Sequence, residues 1–212
     1  MPIIFQQQLS DGAKLALWEI TEALSYFEQY KVEARFIAHP EVKKQHLAAR
    51  VALLSLAPQF SLDKLINNAV GKPYLEGNSW HISFSHTADL AAAIISPVRQ
   101  VGIDVERVGE RIFRVCHKFL SDQEIACLQF ATQLNPLQES DTAAKWLTLC
   151  WSAKESLYKW KGIPRVDFIK DLRLVKVEPA VSQLLFEVSS YEKPIRVEYK
   201  CWDTYVLTWV HG

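Results

Sequence analysis

Three apolar segments follow one another between residues 80 and 105 with almost no chain between them, and this run limits the folds available more than any other feature. The segments are 80–85, 90–95 and 101–105, separated at Thr87-Ala88-Asp89 and at Ser96-Pro97. A parallel connection needs a crossover of about a dozen residues or more. Breaks this short therefore predict an antiparallel meander, with the apolar stretch 90–95 as its core strand.

The flanking sequence alternates between the two element types. A strand is expected over 14–20 and an amphipathic helix over 21–30. Pro40 precedes a helix over 41–56, whose apolar positions Val42, Leu47, Val51 and Leu54 follow helical spacing. A short helix over 61–69 is expected to stop at Gly71-Lys72-Pro73. Ser121-Asp122-Gln123-Glu124 has the capping-box form and opens a helix through residue 133. A second helix is read over 142–160, ending before Gly162 and Pro164, and the tail supplies strands over 172–177, 184–188, 196–201 and 205–210. Helices and antiparallel strands occur in both halves, which is an α+β pattern. The halves, 1–100 and 101–212, are similar in element content, with no residue-level repeat and no low-complexity linker.

Composition narrows the partners. The chain has 212 residues, enough for one large domain or two small packed ones, and its formal net charge is zero. That argues against binding nucleic acid or membrane through a broad electrostatic field, and leaves room for a small basic pocket facing an anionic ligand. Residues 1–9 carry no basic stretch followed by an apolar run, and no apolar run reaches membrane-spanning length, so a cytoplasmic protein is expected. Cys116, Cys127, Cys150 and Cys201 form no C-x-x-C pair and show no zinc-finger spacing to a histidine. Reduced, mostly buried thiols follow.

Four groups of residues can carry chemistry. In Val101-Gly102-Ile103-Asp104-Val105-Glu106, strand alternation puts Asp104 and Glu106 on one side and Ile103 and Val105 on the other. Two neighbouring carboxylates repel unless a cation or proton lies between them, and such oxygens suit Mg²⁺ completed by substrate phosphates. The plain alternative is a strand with a polar outer face. In Trp151-Ser152-Ala153-Lys154-Glu155-Ser156-Leu157-Tyr158-Lys159, Glu155 and Lys159 are four apart on a helix. That spacing suits an ordinary solvated ion pair, and equally a metal ligand beside a phosphate-neutralising ammonium. In Ile82-Ser83-Phe84-Ser85-His86-Thr87, a hydroxyl and an imidazole at a strand end can both donate to phosphate oxygens, although His86 alone reads as a turn histidine. The fourth group is basic: Lys43, Lys44, Arg50 and Lys72. Apolar residues flank Arg50 on both sides, so its guanidinium is expected to be partly enclosed and to need an anionic partner.

Together, and in this order, these segments resemble the signature motifs of the 4′-phosphopantetheinyl transferases. The resemblance rests on Phe84-Ser85-His86-Thr87, Val101 to Glu106 and Trp151 to Lys159, with Gly71-Lys72-Pro73 and Ala49-Arg50-Val51-Ala52-Leu53-Leu54 upstream. Thr87 stands where Ser is frequent, and Lys43 and Lys44 match the family's N-terminal lysines loosely. The length is similar to the longer, surfactin-synthetase-activating type.

The resemblance implies a pseudo-dimer of two α/β subdomains with antiparallel sheets and coenzyme A in the cleft between them. It implies that Asp104, Glu106 and Glu155 hold Mg²⁺ on the diphosphate and that Lys159 contacts that diphosphate. Ser85, His86 and Arg50 would bind phosphates of coenzyme A, with Lys43 and Lys44 as further candidates, and Lys72 and Pro73 would lie along the adenine. The implied reaction moves phosphopantetheine to a serine of an apo acyl or peptidyl carrier protein from fatty-acid, polyketide or nonribosomal peptide synthesis, and releases 3′,5′-ADP. Glu155 would act as base, directly or through a metal-bound water, with Asp104, Lys159 and His86 assisting; a monomer is expected. The competing readings are a degenerate module that binds coenzyme A or carrier without chemistry, and a metal-dependent phosphoesterase that uses water as nucleophile.

Overall fold

The computed structural model describes residues 2–30, 32, 37–68, 71–77 and 79–212. The fold is α+β, with two antiparallel sheets and five α-helices among these residues. The chain divides into two compact units. The first holds residues 1–105 with 159–162 and 211–212; the second holds 106–158 with 163–210.

The first sheet contains β1 (Ile3–Gln8), β2 (Lys14–Glu19), β3 (Leu65–Asn67), β4 (Pro73–Leu75), β5 (His81–Thr87) and β6 (Leu90–Ser96), in the order β1-β2-β6-β5-β4-β3. The helices of this unit are α1 (Leu24–Glu28) and α2 (Pro40–Leu56). Every residue of β6 is buried, and its alanines Ala91, Ala92 and Ala93 pair with Trp18, Leu17 and Ala16 of β2. Small side chains on the sheet let α2 approach closely, with Leu47, Ala48, Val51, Ala52 and Leu56 in the shared core. The enclosed Arg50 rides on the same helix.

The second sheet contains β7 (Val101–Arg107), β8 (Leu172–Glu178), β9 (Gln183–Val188), β10 (Ile195–Cys201) and β11 (Tyr205–His211), in the order β7-β11-β10-β9-β8. Its helices are α3 (Arg111–Val115), α4 (Asp122–Thr132) and α5 (Asp141–Lys161). The capping box at the start of α4 is complete: Ser121 and Glu124 exchange hydrogen bonds with each other's backbone amides. Helix α5 is clipped to β11 by hydroxyls, with Ser156 Oγ 2.6 Å and Ser152 Oγ 3.0 Å from Thr208 Oγ1.

Three expectations need correction, and two elements were not expected. The three-strand meander is broken: β5 and β6 form a hairpin, but β7 joins the second sheet beside β11. The Ser96 hydroxyl caps the intervening turn, and Ser83 Oγ takes the Ile103 amide that a third ladder would have used. The helix over 61–69 is a 3-10 turn at Leu62–Lys64 followed by β3; its expected end at Ala69 lies outside the described residues. The helix over 21–30 is reduced to the five residues of α1. Strand β1 and helix α3 were not anticipated.

Candidate active site

Strand β7 carries Asp104 into the interior, where only 3% of it is exposed, so the face read as a possible polar exterior is buried at this position. A carboxylate there needs compensation. It comes from Lys159, near the C-terminal end of α5, whose Nζ lies 2.6 Å from Asp104 Oδ1. Lys159 also donates to Ser85 Oγ at 2.9 Å and to the Ile103 carbonyl at 3.2 Å. Ser85, buried on β5, donates in turn to Asp104 Oδ1 at 2.7 Å. Thus Ser85, Asp104 and Lys159 form a closed triangle. The other carboxylate oxygen, Oδ2, is buried with no hydrogen-bond partner among the described residues.

Two more groups, an imidazole and a guanidinium, adjoin this triangle. Burial, then the Lys159 ammonium and the Arg50 guanidinium, push the His86 imidazole below its ordinary value, against the opposing pull of Asp104. Its ring stands edge-on to His46, with centroids 6.4 Å apart. Arg50 is 8% exposed, donates to the His46 carbonyl at 2.9 Å and places its guanidinium 5.0 Å from the Phe84 ring centroid. The sequence reading of an enclosed arginine is met here in geometry.

Lys72 lies apart from the triangle in the described contacts. Its Nζ donates to the Trp160 carbonyl at 2.9 Å, and burial pulls its ammonium down to about 8. Gly162, at φ +61°, makes this packing possible, because a Cβ there would stand 2.7 Å from Lys72 Cδ. Pro73 opens β4 beside it, half-buried. Lys43 pairs with Glu28 at 2.5 Å and Lys44 with Glu41 at 2.7 Å, so both charges have carboxylate partners away from Asp104.

Glu106 and Glu155 belong to the second unit and are half-buried. Trp151 Nε1 donates to Glu106 Oε1 at 3.1 Å. Glu106 and Trp151 share the wall of a cavity of about 900 Å³ with Val108, Ile112, Phe119 and Thr148. Among the described residues, no group of three or more His, Cys, Asp or Glu side chains is arranged to hold a metal ion. The donors that Asp104, Glu106 and Glu155 offer are hard oxygens, the class Mg²⁺ takes, and the partnerless Oδ2 of Asp104 has coordinating capacity unused.

Comparison with known families adds the deciding observation. The family model described as the 4′-phosphopantetheinyl transferase superfamily matches residues 100–210, just over half of the chain. The chain belongs to that superfamily. The matched span runs from the start of β7 through α5 to β11 and includes Asp104, Glu106, Glu155 and Lys159. Membership supports phosphopantetheine transfer in general, a chemistry that uses coenzyme A and carrier proteins. A search of curated proteins finds no match. Among the described residues, no helix is long and apolar enough to cross a membrane.

One feature of this superfamily member was not found from sequence. Lys154, inside the helical motif, is fully buried and ion-paired with Glu124 at 2.5 Å. Burial lowers its ammonium, against the raising effect of Glu124. The signal was available: Lys154 follows Ala153 and Cys150 on the apolar stripe of α5, where a cation must find a partner. The cysteines are unpaired, with Cys116 and Cys150 buried; burial pushes Cys150 up to about 12 and Cys201 up to about 11.

Proposed function

We propose that the chain transfers the 4′-phosphopantetheine moiety of coenzyme A to a serine of an acyl or peptidyl carrier protein, with 3′,5′-ADP as the leaving product. The observation that carries this reading is the Ser85–Asp104–Lys159 triangle, buried and cationic at its rim, with one carboxylate oxygen unpartnered. Such a site suits a ligand that brings both negative charge and a counter-cation. We take the chain as the longer, surfactin-synthetase-activating type on its length and its two α+β units.

In this reading Lys159 neutralises oxygens of the coenzyme A diphosphate, and His86, Ser85 and Arg50 donate to its phosphates. Lys72 and Pro73 lie along the adenine, with Lys43 and Lys44 as outlying phosphate contacts. Mg²⁺, held by Asp104, Glu106 and Glu155, would supply Lewis-acid neutralisation of the developing charge. Glu155 accepts the proton of the carrier serine, directly or through a water. The serine oxygen forms a bond to the pantetheine-bearing phosphorus, and the bond from that phosphorus to the bridging oxygen breaks. The electron pair leaves on the 5′-phosphate of 3′,5′-ADP.

Intact mass spectrometry of several apo carrier proteins, incubated with the chain, coenzyme A and Mg²⁺, tests this. A mass gain of one phosphopantetheine on the carrier, abolished by EDTA and restored by Mg²⁺, is expected. Release of 3′,5′-ADP without any carrier would instead identify a phosphoesterase, and tight coenzyme A binding with no transfer would identify a binding module.

A further inference from the structure

The buried Lys154 takes no part in the proposed chemistry, yet its contacts lead to a residue that does. Its ammonium has three protons and three acceptors: Glu124 Oε1 at 2.5 Å, the Phe119 carbonyl at 2.5 Å and the Phe168 carbonyl at 2.7 Å. Glu124 is as fully engaged. Its Oε1 also accepts the Leu174 amide at 2.9 Å, and its Oε2 accepts the Ser121 amide and hydroxyl at 2.8 and 2.9 Å. The pair therefore ties α5 to α4, to β8 and to the segments carrying Phe119 and Phe168.

Those two phenylalanines are also the neighbours of Trp151. The indole lies 5.2 Å from the Phe119 ring at 62° and 5.5 Å from the Phe168 ring at 38°. Lys154 holds the backbones of the two residues whose rings flank the tryptophan, one helical turn back along α5. The flanked indole in turn donates Nε1–H to Glu106 Oε1. Every member of this chain lies within the second unit.

We infer that Lys154, paired with Glu124, is a positioning residue for the Glu106 carboxylate, acting through the Phe119–Trp151–Phe168 stack. The inference rests on the reading of Glu106 as a metal-holding carboxylate. Hydrogen-bonding partners of a metal ligand fix its orientation, and their loss typically lowers metal affinity or activity about 10–100-fold.

The test needs one reading that is independent of transfer. The Trp151 Nε1–H resonance, assigned by its loss in W151F, reports the bond to Glu106, and its position without that charge is given by E106Q. K154M alone leaves Glu124 buried and charged, which favours unfolding, so the double variant K154M/E124Q removes the ion pair while keeping an oxygen for the α4 cap. In the double variant the resonance is expected to move toward its E106Q position. The Mg²⁺ concentration for half-maximal transfer is expected to rise roughly 10–100-fold. A lowered melting temperature with resonance and Mg²⁺ dependence both unmoved makes the pair merely structural and overturns the inference. E124Q alone, the gentler change, gives the same two readings should the double variant not fold. If the wild-type chain transfers nothing, the functional reading fails, and the resonance still decides whether Lys154 positions Glu106.

Discussion

Lys154 and Lys159 stand five residues apart on one helix, and each meets a buried carboxylate, but the two pairs are finished differently. Around Lys154 every proton and every lone pair in reach is used: three acceptors for the ammonium, three further donors for Glu124. Around Lys159 a quarter of the side chain is exposed, and Asp104 keeps one buried oxygen without a partner. An unsatisfied buried acceptor costs about 1–3 kcal/mol. A fold that can saturate one pair completely and leaves the neighbouring one incomplete has kept bonding capacity for something else. Lys154 is saturated within the core, whereas the Asp104–Lys159 pair keeps bonding capacity that the proposed ligand would use.

Asp104→Asn is the largest way to strain this contrast. It retains an oxygen for Lys159 and Ser85 and removes the charge, while Lys159 can still turn toward water. Transfer, followed by carrier mass, should fall about 10²–10³-fold, the usual loss when an electrostatic stabiliser is removed. The melting temperature should change little. A variant that melts far below wild type would show that Asp104 is as architectural as Glu124, and the contrast would be lost.

Lys154→Met should, unlike Asp104→Asn, strike stability directly. It strands Glu124 as a buried, uncompensated charge, a change that costs about 3–5 kcal/mol. At about 2–4 °C per kcal/mol for a chain of this size, the melting temperature should drop by on the order of 10 °C. A variant that melts with wild type would mean that the pair contributes no net stability and that its saturation is incidental.

How much of this could be read beforehand follows from the range of the forces involved. The enclosure of Arg50 was legible because apolar residues flank it in sequence and put it on a buried stretch of α2, although the ring over its guanidinium, Phe84, is distant in sequence. The capping box of α4 was legible for the same reason, since Ser121 and Glu124 are three apart. The role of Lys159 was only half legible. Helical spacing offered Glu155 as its partner, whereas the described ion pair is to Asp104, fifty-five residues earlier. The route of β7 was not legible at all, because Ser96-Pro97 is compatible with a hairpin and with an exit from the sheet. The Ile103 amide donates to Ser83 Oγ, a contact that exists only once β5 is in place. The misread helix over 61–69 has Leu62 and Leu65 at helical spacing, but Leu65 pairs with Leu75 in a short ladder instead.

A third lysine sharpens the comparison at smaller amplitude. Lys72 is half-buried and donates to a single neutral acceptor in the described contacts, the Trp160 carbonyl, with no carboxylate to hold its charge. Burial alone brings its folded-state pKa from 10.5 to about 8. Between those values the unfolded chain keeps a proton that the folded chain has released, so this group makes stability rise with pH from about 8 to 10.5. Below about 8 both states are protonated and the burial penalty stands in full. An anionic ligand reverses the preference by favouring the ammonium. Coenzyme A affinity should therefore weaken as pH rises through about 8, and Lys72→Met should flatten that slope in calorimetric titrations. Equal slopes in both proteins would place Lys72 outside the binding site.

The smallest expected signal belongs to His86, which differs from all three lysines in that its surroundings hold a proton off it. Burial, Lys159 and Arg50 act together to lower its pKa, outweighing Asp104. A phosphate arriving among these cations would cancel their repulsion and pull a proton onto the ring, raising the imidazole pKa in the complex. Binding of coenzyme A near pH 6.5 should then be accompanied by uptake of a fraction of a proton. The uptake appears as a dependence of the calorimetric enthalpy on the ionisation heat of the buffer. His86→Asn should remove that dependence while leaving the uptake from Lys72 in its own window above about pH 8. If wild type and His86→Asn take up protons equally near pH 6.5, the ring does not face the phosphates. The incompleteness around Asp104 and Lys159 would then have to be explained without it.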